Sequence, residues 1–312
     1  MNSFLKIKVV GIGGAGVNTV SRIAKNFKNN VELIALNTDA QSLKTANILN
    51  KNKFLIGENI TFGLGTGMDI KLGEKAAKES EEKLKEILKG ADIVFLTYGL
   101  GGGSGSGGGP IVAEIAKNLG ALTIAVVTEP FSFEGVWRSR VAKLGFSRLE
   151  TKIDALICVK NDKVLKIIGK NTSVEEAFIL IDDVLKEAIT SISDLISSSS
   201  IISIDFADIT ELLKNSGRVL FSQAKRSGEN RAVTAADCAL LSPLVDFSIN
   251  KAKGILVNVS GRDDLSLLEV QEAINFIKKA VSSHCKIIFG ASEDKKLKKG
   301  EIKITLIATG IN

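Results

Sequence analysis

Histidine chemistry has almost nothing to work with in this chain. Its single histidine, His284, abuts Cys285 just ahead of a strand-like segment and reads as a surface or strand-edge residue. The three cysteines, Cys158, Cys238 and Cys285, form no CxxC and pair with no histidine at metal-ligand spacing. That excludes a zinc or dithiol centre and leaves them as buried or incidental thiols. No stripe of basic residues interleaved with aromatics appears, and the chain has one tryptophan and one tyrosine. The lysines are dispersed, clustering only near 44–53 and 295–299. A net charge of +6 therefore implies no specific nucleic-acid partner, although it permits attraction to an anionic lipid surface. No apolar run approaches the ~18–20 residues of a membrane span. A first strand beginning at Lys6 leaves no room for a leader peptide, so the chain reads as cytoplasmic.

What is present is an alternation of apolar, strand-sized segments with helical patterns. Lys6–Val10, Val31–Leu36, Asp92–Thr97, Leu122–Val127 and Ala155–Val159 read as strands. Val17–Lys25, Lys71–Leu88 and Ile111–Leu119 read as helices. That order predicts a parallel sheet covered on both faces. Ser173 and Glu176 form a capping box, and Phe178, Ile181, Leu185, Ala188, Ile192 and Leu195 then recur at helical spacing. The expected organisation is a first domain over 1–172, a central helix and connecting loop over 173–200, and a smaller α+β domain over 201–312. In the last, Asp205–Lys214, Ala232–Leu241 and Leu267–Ala280 are expected helices, and Ile255–Val259, Lys286–Phe289 and Ile302–Ala308 expected strands.

Glycine is concentrated where strands end. Eight of the eleven residues of Gly99–Gly109 are glycine, interrupted by Leu100, Ser104 and Ser106 and followed by Pro110. A strand before and a helix after place this loop at a carboxyl sheet edge. There backbone N–H groups and a helix dipole converge on one spot suited to phosphate. The run lacks the Gly-Lys-Ser/Thr ending of a P-loop. Gly11-Ile12-Gly13-Gly14-Ala15-Gly16 satisfies the GxGxxG fingerprint after the first strand, and Asp39 falls near the end of the second, where a ribose-binding acid is expected. On these residues alone an NAD-type oxidoreductase stays open. Gly63-Leu64-Gly65-Thr66-Gly67 is a third glycine turn, and three such turns at one sheet edge suit a triphosphate.

Gly101-Gly102-Gly103-Ser104-Gly105-Ser106-Gly107 resembles the signature of the tubulin/FtsZ GTPase family, with serine at both of the family's threonines. The resemblance continues in order through Ile7–Asn18, Ala35–Gln41, Gly57-Glu58-Asn59, Ala91–Pro110, Thr123–Gly135, Asp205–Asp208, Leu241–Leu244, Gly254–Val259 and Ala308–Gly310. It implies a GTPase domain joined by a long helix to a smaller domain. It also implies a cytoplasmic protein that polymerises head-to-tail into the cytokinetic ring of bacterial cell division, at mid-cell, with other division proteins as partners. GTP and GDP are the implied substrate and product, with Mg²⁺ bound through the nucleotide phosphates.

By the same resemblance, Gly13, Gly14, Ala15, Asn18, Gly101, Gly102, Gly103, Ser104 and Gly105 hold the phosphates, with Gly65 and Thr66 at the terminal one. Glu134 faces the ribose with Arg138 beside it. Asn161 and Asp182 read guanine, and Phe178 stacks on it. Asp205 and Asp208 enter the next subunit's pocket and orient the attacking water. Read without the family, the same two acids at i and i+3 are an N-cap and a favourable first-turn charge.

The sequence departs from the family at several points. Ser203 replaces an asparagine and Ser199-Ser200 a Pro-Gly pair, which leaves open a filament former with little hydrolysis. Asn230 stands for an aspartate, and Val136-Trp137 for residues that are commonly basic. The family's usual disordered linker and membrane-docking peptide are absent from a sequence that ends at Asn312.

Overall fold

The computed structural model describes residues 5–27, 31–165, 168–169, 171–197, 200–241 and 249–311. The chain separates into two compact units, Met1–Ile189 and Thr190–Asn312. Ser242-Pro243-Leu244 of the resembling segment Leu241–Leu244, and Ser199 of the Ser199-Ser200 pair, lie outside the described residues.

The first unit opens with β1 (Ile7–Ile12), α1 (Gly13–Ile23), β2 (Val31–Asn37), α2 (Ala40–Thr45), β3 (Lys53–Leu55) and α3 (Glu58–Thr61). It continues with α4 (Ile70–Glu79), α5 (Glu81–Leu88), β4 (Ile93–Gly99), α6 (Gly109–Asn118), β5 (Leu122–Glu129), α7 (Val136–Glu150), β6 (Ala155–Lys160), α8 (Asn161–Val164) and α9 (Val174–Ser197), the last crossing into the second unit. All six strands pair in parallel, in the order β3-β2-β1-β4-β5-β6. Strand order reverses between β1 and β4. Ligands of doubly wound sheets bind outside the carboxyl ends at such a point. Both long glycine runs begin there.

Central strands read as unbroken apolar runs because both faces are covered. Val9, Val10, Ile93, Val94, Phe95, Leu96 and Ile124 through Val127 are all fully buried. Helices α5, α6 and α7 contribute Leu84, Leu88, Val112, Ala116 and Leu149 to the same core.

Three local readings are corrected. The expected helix over 71–88 is two helices, because Ser80 N–H turns back to the carbonyls of Ala77 and Lys78 and its hydroxyl accepts from Gly57 N–H at 3.0 Å. Helix α1 begins at Gly13, four residues ahead of its expected start, so the first glycine run is mostly helical. Nor is the long glycine run a loop throughout. After a turn at Gly101 (φ 95°), Ser104–Gly108 form a π-helical turn that leads into α6.

Close packing explains that glycine content. A β-carbon on Gly103 would stand 2.4 Å from Thr66 Oγ1, and one on Gly107 2.2 Å from the Ile70 carbonyl oxygen. On the other side, β-carbons at Gly105 and Gly109 would meet the Tyr98 side chain at 3.0 and 2.4 Å. The turn is clamped between α4 with its preceding loop and strand β4, closer than any side chain allows.

The second unit contains β7 (Ser200–Ile202), α10 (Phe206–Leu213), β8 (Gly217–Ser227), α11 (Arg231–Leu240), β9 (Gly254–Gly261), α12 (Leu267–Lys279), β10 (Lys286–Glu293) and β11 (Glu301–Thr309). Its sheet runs β8-β11-β9-β10-β7, with only β9 and β10 parallel. The three expected strands are present, and β7 and β8 are additions. β8 was hidden because its apolar stretch is only Val219–Phe221, before a polar end that is exposed from Lys225 to Ser227. A core of small and branched residues (Ala232, Ala235, Ala236, Val257, Ala273, Ile304) joins α11 and α12 to the sheet.

Candidate nucleotide-binding site

The phosphate-suited cradle is built at the switch point by three glycine turns. Gly13 (φ 67°) packs against the later run, where a β-carbon would lie 3.2 Å from Gly105 N and 3.3 Å from Ser104 Cβ. Ala15 reaches the end of β4, 3.0 Å from where a β-carbon on Gly99 would be. Gly14, Ala15 and Asn18 form an exposed strip along the first turns of α1. Gly65 (φ 83°) donates its N–H to Thr38 O at 3.0 Å. Gly101 N–H donates to Ser106 Oγ at 2.9 Å, fixing the turn that runs through half-buried Gly102 and buried Gly103 into the helical turn.

Three hydroxyls converge on this cradle. Ser104 Oγ lies 2.7 Å from Thr38 Oγ1 and 3.2 Å from Thr66 Oγ1. Thr38 is fully buried, and sequence reading passed over it because a lone threonine in a strand-to-helix turn carries no signal of its own. Asp39, which the dinucleotide reading placed on a ribose, is instead the N-cap of α2. Its carboxylate accepts from Gln41 N–H at 2.9 Å and Ser42 N–H at 3.4 Å.

Beside the cradle, Gly101 packs on Arg138, whose Nη1 lies 3.0 Å from Glu134 Oε2. Glu134 Oε1 accepts from Phe131 N–H at 2.8 Å, so this carboxylate is held from both ends. Phe131 stacks on Phe133 at 4.9 Å and meets Phe178 edge-on at 5.9 Å, leaving Phe178 partly exposed.

A second group of residues is buried and polar. Asn161 opens α8 and is 5% exposed, and its Oδ1 has no hydrogen-bond partner among the described residues. Asp182 in α9 is 6% exposed. Its Oδ1 accepts from Thr19 Oγ1 at 2.7 Å, and Arg22 Nε forms an ion pair with its Oδ2. Buried acceptors of this kind need donors, since an unpaired buried polar group is costly. Thr19 and Arg22 also escaped the sequence reading, because their partner is 163 residues away from Thr19.

Asp205 and Asp208 belong to the second unit. Asp205 is the N-cap residue of α10 by backbone, yet its side chain makes no capping bond and is exposed. Asp208 sits in the first turn of the same helix. Among the described residues no group of three or more His, Cys, Asp or Glu side chains is placed to hold a metal ion. Among them, too, no helix is long and apolar enough to cross a membrane.

A doubly wound parallel sheet with glycine turns at its switch point defines a nucleotide-binding α/β protein. Residues 6–169 match the Tubulin/FtsZ family, GTPase domain, and residues 217–312 match the FtsZ family, C-terminal domain. The empty FtsZ dimer of M. jannaschii is similar over 100% of this chain and 90% of its own, at 39% identity and TM-score 0.92. The W319Y mutant of the same FtsZ is 40% identical over 98% of this chain and 91% of its own, at TM-score 0.90. CetZ2 from Haloferax volcanii, solved as a GTPγS-bound protofilament, shares the fold at 20% identity and TM-score 0.84, over 99% of this chain and 94% of its own. The chain belongs to the tubulin/FtsZ family. Its Gly11–Gly16 run is therefore one of three glycine turns of a GTPase domain and not a dinucleotide fingerprint.

Proposed function

We propose that this chain binds GTP in the first unit and hydrolyses it only when a second copy supplies Asp205 and Asp208. The glycine cradle takes the phosphates, Glu134 and Arg138 the ribose, and Phe178, Asn161 and Asp182 the base. The acids orient water against the terminal phosphate. Mg²⁺ is held through the phosphates. Neutral hydroxyls from Thr38, Thr66 and Ser104 suit a hard cation that keeps several waters and phosphate oxygens in its shell. Copies then join head-to-tail, a heterologous contact that propagates into an open filament. We propose further that these filaments act in the cytoplasm and build the cytokinetic ring, as the sequence resemblance implies for bacterial division.

One observation carries the shared site. The most exposed large apolar side chains of the first unit, apart from Leu49, flank the cradle: Phe62, Leu64, Phe133, Val136 and Trp137, at 62–86% exposure. In the second unit an exposed apolar residue also precedes the acids. Exposed Ile201 lies in β7, just before Asp205, and β7 pairs with the carboxyl-terminal part of β10. Apolar surface concentrated around the cradle marks a protein–protein contact. A second copy of this chain, with Ile201 ahead of its acids, is the partner this reading supplies.

The test is GTPase rate against protein concentration, with electron microscopy of the same samples. Turnover per molecule should rise with concentration and filaments should accompany it. Asp208→Ala should lower turnover ~10²-fold while leaving GTP affinity intact. Turnover independent of concentration would reject the shared site.

A further inference from the structure

We propose that Arg22, together with Thr19, is a positioning residue that makes the site selective for guanine, by fixing the Asp182 carboxylate with two acceptor positions free. This rests on the reading of Asp182 as the base-facing carboxylate. Thr19 and Arg22 stand three residues apart on α1 and so share one face of that helix. The same helix begins at Gly13, against Ser104 and Gly105 of the cradle. One rigid element therefore sets both the phosphate position and the carboxylate opposite the base.

Asp182 is almost fully buried, and burying a carboxylate is costly unless it is paired and hydrogen-bonded. Arg22 provides the charge; a guanidinium does not lose its proton in proteins. Its side chain remains nearly half exposed, so the arginine itself avoids most of the desolvation cost. An ionised carboxylate has about four lone-pair positions. Thr19 takes one on Oδ1 and Arg22 one on Oδ2, and apart from that ion pair Oδ2 has no hydrogen-bond partner. One position per oxygen remains. Guanine presents two donors side by side, N1–H and the exocyclic amine, which match that pair. Adenine places an acceptor at N1, which meets a lone pair and is repelled.

Binding of GTP, ATP and inorganic tripolyphosphate to the wild type, Arg22→Ala, Arg22→Lys and Asp182→Asn tests this. Arg22→Ala should weaken GTP binding by about tenfold or more, the loss expected when a charged hydrogen-bond partner is removed. Tripolyphosphate and ATP affinities should not change. Arg22→Lys should retain part of the GTP affinity, and millimolar guanidinium should restore GTP binding to Arg22→Ala. A gain in GTP affinity would mean that Arg22 competes with the base, and an equal loss for tripolyphosphate would mean that α1 is merely disturbed. Either result overturns the proposal. If Asp182→Asn leaves GTP binding unchanged, the base-site reading itself fails. If Asp182→Asn removes the guanine preference and Arg22→Ala does nothing, only the role of Arg22 fails.

Discussion

Gly107 lies so close to Ile70 that a β-carbon on it would stand 2.2 Å from the Ile70 carbonyl oxygen. The obstacle is backbone in the first turn of α4, with further backbone at Glu74 N, 2.8 Å away. No rotamer change relieves it. Gly107→Ala must therefore push α4 from the π-helical turn, and overpacking of this kind costs about 1–3 kcal/mol. Urea unfolding of the variant should show a lowered midpoint and weakened GTP binding together. Gly14→Ala is the control for the unfolding midpoint alone, because nothing lies within 4 Å of a β-carbon there while the residue itself belongs to the proposed phosphate cradle.

Ser104 is the hub of the three-hydroxyl cluster, within hydrogen-bonding distance of both Thr38 and Thr66. Ser104→Ala removes the hub and leaves buried Thr38 without that partner. A lost neutral hydrogen bond is worth about 1 kcal/mol, so GTP affinity should fall several-fold. Calorimetric titration with GTP checks this. An unchanged affinity would remove Ser104 from the phosphate site.

Val136 and Trp137 are exposed at the start of α7, beside the cradle, where the family commonly has basic residues. Replacing both with aspartate should suppress sedimentation of filaments while leaving GTP affinity within a factor of about two, since surface charge acts weakly on a neighbouring site. It should also make residual assembly depend on salt. Sedimentation across a salt series, with nucleotide titration alongside, reads both effects.

The second unit carries its own acid-sensitive element. Arg231 Nε lies 2.6 Å from Glu269 Oε1, and its Nη1 2.8 Å from Asp264 Oδ2. Arg231 holds both carboxyls below their ordinary range, and Glu269 is also the capping-box partner of Ser266 in α12. A carboxyl whose folded value is depressed adds stability above its unfolded value, and that stability disappears as pH falls through the folded value. Wild type should thus exceed Glu269→Gln in stability at neutral pH, and the gap should close as pH drops below the ordinary carboxylate range. Denaturant unfolding between pH 7 and pH 3 measures it.

Much of the site was visible in the chain because phosphate recognition uses backbone, and backbone needs are written as glycine. The three glycine turns, the capping box at Ser173 and the alternation of strands and helices are local patterns, and the structure keeps them. The break at Ser80 was not visible, since the residues on both sides keep one amphipathic pattern. Only Gly57, folded back against Ser80, reveals why the helix stops. The glycine run misled in the opposite direction. Its composition reads as a loop throughout, yet two packed neighbours force part of it into a helical turn.

By itself, the sequence determined that a parallel sheet would carry glycine turns at its carboxyl edge, because hydrophobic periodicity and glycine placement act over a few residues. It also marked Asn161, Asp182, Asp205 and Asp208 by resemblance. Tertiary structure alone decided which groups stand opposite one another. Thr38 joins Ser104, and Thr19 and Arg22 close on Asp182, because strands and helices distant in the chain meet at one sheet edge. Burial then does what local sequence cannot: it removes water from a carboxylate, and so makes its charged neighbour matter.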